Sequence, residues 1–305
     1  MCLIRSFEEE IYSLNKLGLV QGTAHLYIGM EAIAVGACAA MLPGDYLTST
    51  HRGHGHCIAR GLNTGRMMAE ILGREDGYCG GKGGSMHIAD STLGMLGADG
   101  IVGGGIPIAV GAAFGSRLKG ESSVVLCFFG EGATNQGSFH ESLNFAAVQK
   151  LGVVFICENN LWALSAPFQE VTAGGSVATR AGAYGIPGAL VDGNNVDAVY
   201  EAVAVASHRA RLGSGPSLLE CETYRWEGHS IFTRQDVRPD EEILQWKSRD
   251  PIQRYRTKLV ETNAFTIQTL VEVEAQVAIQ ISTASEYAKN SPAPVPDSAL
   301  KHVFA

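Results

Sequence analysis

Two uninterrupted apolar runs joined by a helix-patterned segment leave this chain few folds to choose from. Residues 123–129 read SVVLCFF and residues 153–157 read VVFIC, while residues 136–149 between them repeat apolar side chains at helical spacing. Each run has the length of a strand, and a strand that is apolar at every position must be covered on both faces. The unit is a strand, a crossover helix and a parallel strand. The alternation continues through GALV, a helix over 196–211 and the strand SLLECETY. The expected fold class is therefore α/β, a doubly wound, mainly parallel sheet with helices on both faces.

A chain of 305 residues with 46% hydrophobic and 18% charged residues has enough apolar surface for a sizeable core. We expect one domain over 1–305, in which 226–305 is a loop plus a C-terminal helical extension. That extension reads as charged and irregular through RQDVRPDEE, helical over 266–289, and a surface tail at NSPAPVPDS. Glycine concentrates in GREDGYCGGKGGSMH and GADGIVGGGIP. These stretches could be flexible linkers, but anchors such as Met86, Ile88, Met95 and Val102 favour ordered binding loops.

The net charge of -8 is spread along the chain, which argues against nucleic acid or an anionic membrane as the main partner. No stretch is long and apolar enough to span a bilayer. The N-terminus MCLIRSFEEEIYSL lacks the basic start and apolar run of a signal peptide. Seven cysteines without a C-x-x-C pair suggest neither a disulfide framework nor a thiolate zinc site. A reducing compartment, the cytoplasm, is expected.

Ligands of open α/β sheets bind beyond the carboxyl ends of the strands, here at the turns GEGATNQG and ENNLWAL. The first offers Gly130 and Gly132, which let a backbone approach a phosphate, a helix start with free N–H groups, and the carboxylate of Glu131. The second offers the amide oxygens of Asn159 and Asn160. Carboxylate, amide and backbone oxygens suit Mg²⁺, with diphosphate oxygens completing the shell. Three other readings stand beside this one. GEGATN opens a helix after a strand as a dinucleotide fingerprint does, though Asn135 occupies the place of the third glycine. Glu131 alone is an ordinary helix N-terminal carboxylate, and an Asn pair alone is an ordinary turn.

The stretch FFGEGATNQGSFHESLNFAAVQKLGVVFICENNLWALS resembles the thiamine diphosphate motif of the alpha subunits of pyruvate, branched-chain 2-oxo acid and acetoin dehydrogenases. HLYIGMEAIAVGA, THRGHGH, GKGGSMHI, GIVGGGIPIAVGAA and ECETYRWEGHS extend the resemblance over almost the whole chain, in the family's order. It implies thiamine diphosphate and Mg²⁺ as cofactors. Glu131 and Asn160 then match the Mg²⁺ side-chain ligands, and Trp162 the position that supplies a backbone carbonyl. Gly130, Gly132 and Ala133 match the diphosphate loop, and Gly100 and Val102 the backbone that meets the aminopyrimidine. Arg52 and Arg225 match positions that hold the diphosphate, as a guanidinium fork can. His25, His51 and His229 fall at cofactor-facing positions, with His229 and His51 the catalytic candidates, since a neutral imidazole can move protons near neutral pH. For His51, His54 and His56 a metal cluster or plain surface histidines are the competing readings, and for His229 a solvated loop.

What the resemblance implies is decarboxylation of a small 2-oxo acid, pyruvate first, with the acyl group passed to a lipoyl arm on an acyltransferase core. The alternatives are an acetoin dehydrogenase alpha subunit and a catalytically weak homologue serving as a structural subunit. A separate beta subunit would supply the glutamate that activates the aminopyrimidine, in an alpha2-beta2 heterotetramer. Two departures stand out: Glu131 replaces the family's Asp, and SIFTRQDVRPDEE replaces the Ser-x-Ser-Asp-Pro pattern of pyruvate-specific relatives.

Overall fold

The computed structural model describes residues 1–233 and 235–301. Arg234, inside the SIFTRQDVRPDEE loop, lies outside the described residues. Six strands form one parallel sheet: β1 (Tyr46–Thr48), β2 (Met95–Gly97), β3 (Val125–Gly130), β4 (Val153–Asn159), β7 (Gly188–Asp192) and β8 (Ser217–Glu222). Their spatial order is β2-β1-β3-β4-β8-β7. A short antiparallel ladder, β5 (Trp162–Ala163) with β6 (Ala166–Pro167), folds back just after β4. The helices are α1 (Cys2–Lys16), α2 (Glu31–Ala39), α3 (His54–Ala59), α4 (Thr64–Ile71), α5 (Gly105–Leu118), α6 (Gly137–Val148), α7 (Phe168–Val171), α8 (Val196–Arg211), α9 (Asp240–Lys247), α10 (Pro251–Glu261) and α11 (Ile267–Asn290).

The two apolar runs are the central strands, and each feeds two cores at once. Leu126, Phe128, Val154 and Ile156 join the core built with α1, α2, α4 and α8. Their neighbours Val125, Cys127, Phe129, Val153, Phe155 and Cys157 join the opposite core, with α5 and α6. Because strand side chains alternate faces, only a run without polar gaps can serve both. Burial of one such Phe or Val stabilises the fold by roughly 1.5–3 kcal/mol.

The register of β3 against β4 pairs Gly130 with Glu158, so the two turns that follow start side by side. The chain leaves β1 outward to β2 and then crosses to β3, which puts the reversal of strand order beside the ends of β1 and β3. All the sheet's parallel strands point their carboxyl ends to this same edge.

Two segments depart from expectation. α9 begins in the last three residues of RQDVRPDEE, the stretch read as irregular, and α10 follows in the segment before 266 to which no helix was assigned; α10 is opened by Asp250, whose side chain accepts from Ile252 N–H, with Pro251 in its first turn. The tail at NSPAPVPDS is docked at its start: Ser291 is buried, its hydroxyl donates to Asp76, and Pro292 carbonyl accepts from Glu75 N–H. The last helix runs Ile267–Asn290, one residue beyond the expected span, capped by Thr266. The glycine-rich stretch after α4 is ordered by one buried carboxylate. Glu70 accepts from the backbone N–H groups of Cys79, Gly81, Gly83 and Gly84 at 2.7–3.0 Å.

Candidate active site

A cavity of about 320 Å³ opens at the carboxyl edge of the sheet, walled by the ends of β1, β3 and β4 and by the loop after β8. Glu131, in the turn after β3, is 2% exposed and Asn160, just past β4, is 8% exposed. They meet: the Asn160 backbone N–H and side-chain amide both donate to Glu131 Oε2 at 3.1 Å. Burial raises the carboxyl pKa of Glu131, offset in part by its own and Asn160's backbone N–H groups and by Arg225 and Arg52. Asn160 Oδ1 is buried with no hydrogen-bond partner. Asn159, by contrast, is committed elsewhere, its amide donating to Glu220 and its oxygen accepting from Leu161 N–H.

Gly130, Gly132, Ala133 and Trp162 complete this wall. A Cβ on Gly132 would sit 3.1 Å from Ala163 Cβ, so the loop lies tight against β5. The Trp162 indole N–H donates to Glu242 at 2.9 Å, which ties α9 to the cavity.

Across the cavity stand three histidines from separate segments: His25 from the loop after α1, His51 after β1, and His229 after β8. Their ring centroids are 4.6, 5.0 and 5.4 Å apart. Burial and then the Arg52 charge lower their pKa values, to about 3 for His25, about 2 for His51 and about 4 for His229. At neutral pH all three are uncharged imidazoles.

Arg52 and Arg225 frame the trio. Arg52 donates to Leu26 and His229 carbonyls, and Arg225 to Leu164 and Glu227 carbonyls. Burial pulls their pKa values down to about 10 and about 9, so both stay charged at neutral pH.

Of the residues singled out from sequence, His51, Arg52, Val102, Gly130, Glu131, Gly132, Ala133, Asn160, Trp162 and His229 line the cavity itself. His25, Gly100 and Arg225 stand one layer back, where His25 packs edge-on against His51 and Gly100 lies beside His87 and Met86. His54 and His56 face away from His51. His54 pairs with buried Glu8 at 2.9 Å, and His56 with Glu158 at 3.1 Å and with Ser49 at 2.7 Å.

Sequence reading passed over Glu158, which lines the cavity and also takes a short hydrogen bond from the buried Tyr27 hydroxyl. Its signal was its place at the tip of an apolar strand, directly before the Asn pair. Also passed over was Arg238, whose buried guanidinium donates to the carbonyls of Arg225, Trp226 and Glu227 and pairs with Asp236. It closes the loop carrying His229 into a ring. Only the chain's own topology, not its local pattern, brings that arginine to the loop's start.

Comparison with known proteins places the chain. The family model described as Dehydrogenase E1 component matches residues 1–297. The alpha subunit of acetoin:2,6-dichlorophenolindophenol oxidoreductase from Bacillus subtilis (strain 168) is 48% identical over 306 residues, spanning 100% of this chain and 91% of that protein. The protein of the same name from Cupriavidus necator is 43% identical over 100% of this chain and 92% of its own length. The pyruvate dehydrogenase E1 component subunit alpha of Rhizobium meliloti is 38% identical over 96% of this chain and 85% of its length. The long motifs, the parallel sheet and these matches agree: the chain belongs to the dehydrogenase E1 component family, among the alpha subunits of acetoin and pyruvate dehydrogenases.

Proposed function

We propose that this chain binds thiamine diphosphate through Mg²⁺ and acts, with a beta subunit, in an acetoin-cleaving dehydrogenase. The observation that carries the cofactor reading is the pair at the strand tips. A fully buried carboxylate, Glu131, and a buried amide oxygen without a partner, Asn160 Oδ1, stand together where a cation would satisfy both. Glu131 and Asn160 would hold Mg²⁺ by their side chains and Trp162 by its backbone carbonyl. The backbone of Gly130, Gly132 and Ala133 would meet the diphosphate, with Arg52 and Arg225 supplying positive charge beside it. Gly100 and Val102 would position the aminopyrimidine.

When bound, thiamine diphosphate supplies the carbon nucleophile and electron sink needed to break a carbon–carbon bond beside a carbonyl. The chain's part is placement and proton handling. His51 and His229 face the cavity as neutral imidazoles, able to donate a proton to a developing oxyanion or accept one from a hydroxyl. His25 backs both rings. Arg52, bound to the His229 carbonyl, fixes the height of that imidazole above the cavity floor.

Acetoin stands ahead of pyruvate because relatives named for acetoin are 48% and 43% identical, against 38% for the Rhizobium meliloti pyruvate dehydrogenase subunit. The SIFTRQDVRPDEE loop, without the pattern of pyruvate-specific relatives, leans the same way. The beta subunit would complete an alpha2-beta2 assembly, and the acyl group would pass to a lipoyl arm. Seven free cysteines, five of them buried, fit a reducing compartment such as the cytoplasm.

Two measurements test the proposal. Glu131→Ala and Asn160→Ala should each weaken Mg²⁺-dependent thiamine diphosphate binding at least about 10-fold with the fold intact; unchanged affinity rejects the site. Dye reduction by the alpha and beta chains together should require acetoin. Activity with pyruvate alone would move the substrate to a 2-oxo acid, and none with either would make the chain a structural subunit.

A further inference from the structure

We propose that His25, His51 and His229 form a second metal site, selective for a Zn²⁺-like transition-metal dication and distinct from the oxygen pair Glu131 and Asn160. One ligand atom from each imidazole lies within 4.8 Å of the other two. At Zn–N bonds of about 2.0–2.1 Å in a tetrahedral shell, three ring centroids fall about 5 Å apart. The observed separations, 4.6, 5.0 and 5.4 Å, bracket that value, and side-chain rotation would have to draw the three nitrogens in to about 3.4 Å from one another.

A second observation points to a ligand. His25 is only 7% exposed, and its Nδ1 is buried without any hydrogen-bond partner. A polar nitrogen in that position ordinarily has a partner. A metal also needs imidazoles in the neutral form, and burial keeps these three neutral. Three nitrogens leave the fourth tetrahedral position open toward the cavity that His51 and His229 line.

The two nearby guanidinium groups oppose a cation, but their charge is partly met. Both forks are engaged with backbone carbonyls, and the negative charges of Glu8, Glu158 and Glu131 act on Arg52 through space. The remaining positive fringe favours an anion as the fourth ligand. Ligand hardness separates the two sites: imidazole suits Zn²⁺, Co²⁺ and Cu²⁺, while Mg²⁺ takes oxygen. One cavity thus offers a hard site on one wall and a borderline site on the other. An ion on the histidines would take the groups that the thiamine reading assigns to proton handling, making Zn²⁺ a reversible inhibitor there.

The site itself does not rest on the thiamine reading, and Co²⁺ titration of the full chain tests it alone. One equivalent should give the strong visible bands of four-coordinate cobalt, erased by Zn²⁺ and untouched by excess Mg²⁺. His51→Asn and His229→Ala should each weaken Co²⁺ by more than the roughly 10–100-fold that an outer-shell partner is worth. His140→Ala and His208→Ala, on surface helices, should change nothing, and circular dichroism melts confirm that each variant folds. Weak six-coordinate bands, or strong bands surviving in both trio variants, overturn the proposal. In the assembled alpha–beta enzyme, where the inhibition rests on the thiamine reading, Zn²⁺ should lower the maximal rate of dye reduction, and a chelator should restore it. Intact cobalt bands without that loss of rate would reject the inhibition while leaving the metal site standing.

Discussion

Glu131 is a carboxylate that two amide N–H groups from Asn160 address and that no cation pairs with among the described residues. In the absence of a metal such a group is a destabilising element, because its desolvation is only partly compensated. Glu131→Gln keeps the shape and removes the charge. It should leave the melting temperature of the metal-free chain unchanged or higher while weakening Mg²⁺-dependent binding, as calorimetry would register; a fall in both would mean that the residue is structural. The histidines give a pH prediction. Their folded pKa values lie below the ordinary value near 6.5, so the unfolded chain binds protons first as pH falls. Stability should be fully present above about pH 6.5 and decline from there down to about pH 2, and His51→Asn should flatten that slope in thermal melts. At this scale the sequence was most readable where chemistry is local. Glu131 and Asn160 could be paired because two apolar strands end just before them, whereas Glu158 sits inside such a strand and reads as a core anomaly until Tyr27 and His56 are seen beside it.

Helices and strands were legible in proportion to the length of their apolar pattern. The helix over 196–211 was found at its observed limits, because its apolar face repeats over 16 residues and Asn195 caps it. α9 and α10 were missed because only Trp246 of α9 and Pro251 of α10 are buried, leaving little pattern to detect. Asp250 followed by Pro251 was the readable signal, a cap and a first-turn proline. Two loops depend on single side chains. Glu70→Ala would strand four backbone N–H groups at once, and unfolding experiments should find a loss of roughly 2–4 kcal/mol, with new proteolytic cuts in residues 77–84. Arg238→Ala should free the described residues 226–233 and 235–237, seen as faster hydrogen exchange there and weaker cofactor binding, with little change in the sheet. Exchange that rises equally in β3 and β4 would mean that the arginine supports the whole fold instead.

The molecule as a whole presents its cavity at an edge that is not fully covered by its own chain. Ile101 is 72% exposed and Val102 50% exposed, both at the cavity rim, and apolar side chains left in water beside a site are typical of surfaces awaiting a partner. Ile101→Asp should therefore reduce assembly with the beta subunit, measured by size-exclusion chromatography with light scattering, without lowering the melting temperature of the isolated chain. The layered sheet was readable from apolar runs alternating with helical pattern, but only at β3, β4, β7 and β8; β1 and β2, three residues each, carry too short a pattern to detect. The strand order was not readable, since nothing in a strand's own residues says which neighbour it will take. That order has a consequence for synthesis. β8 lies between β4 and β7, although β7 leaves the ribosome first. A nascent chain halted before residue 217 carries β4 with its outer edge unpaired and β7 without its native partner, two open edges that could pair wrongly until β8 inserts between them.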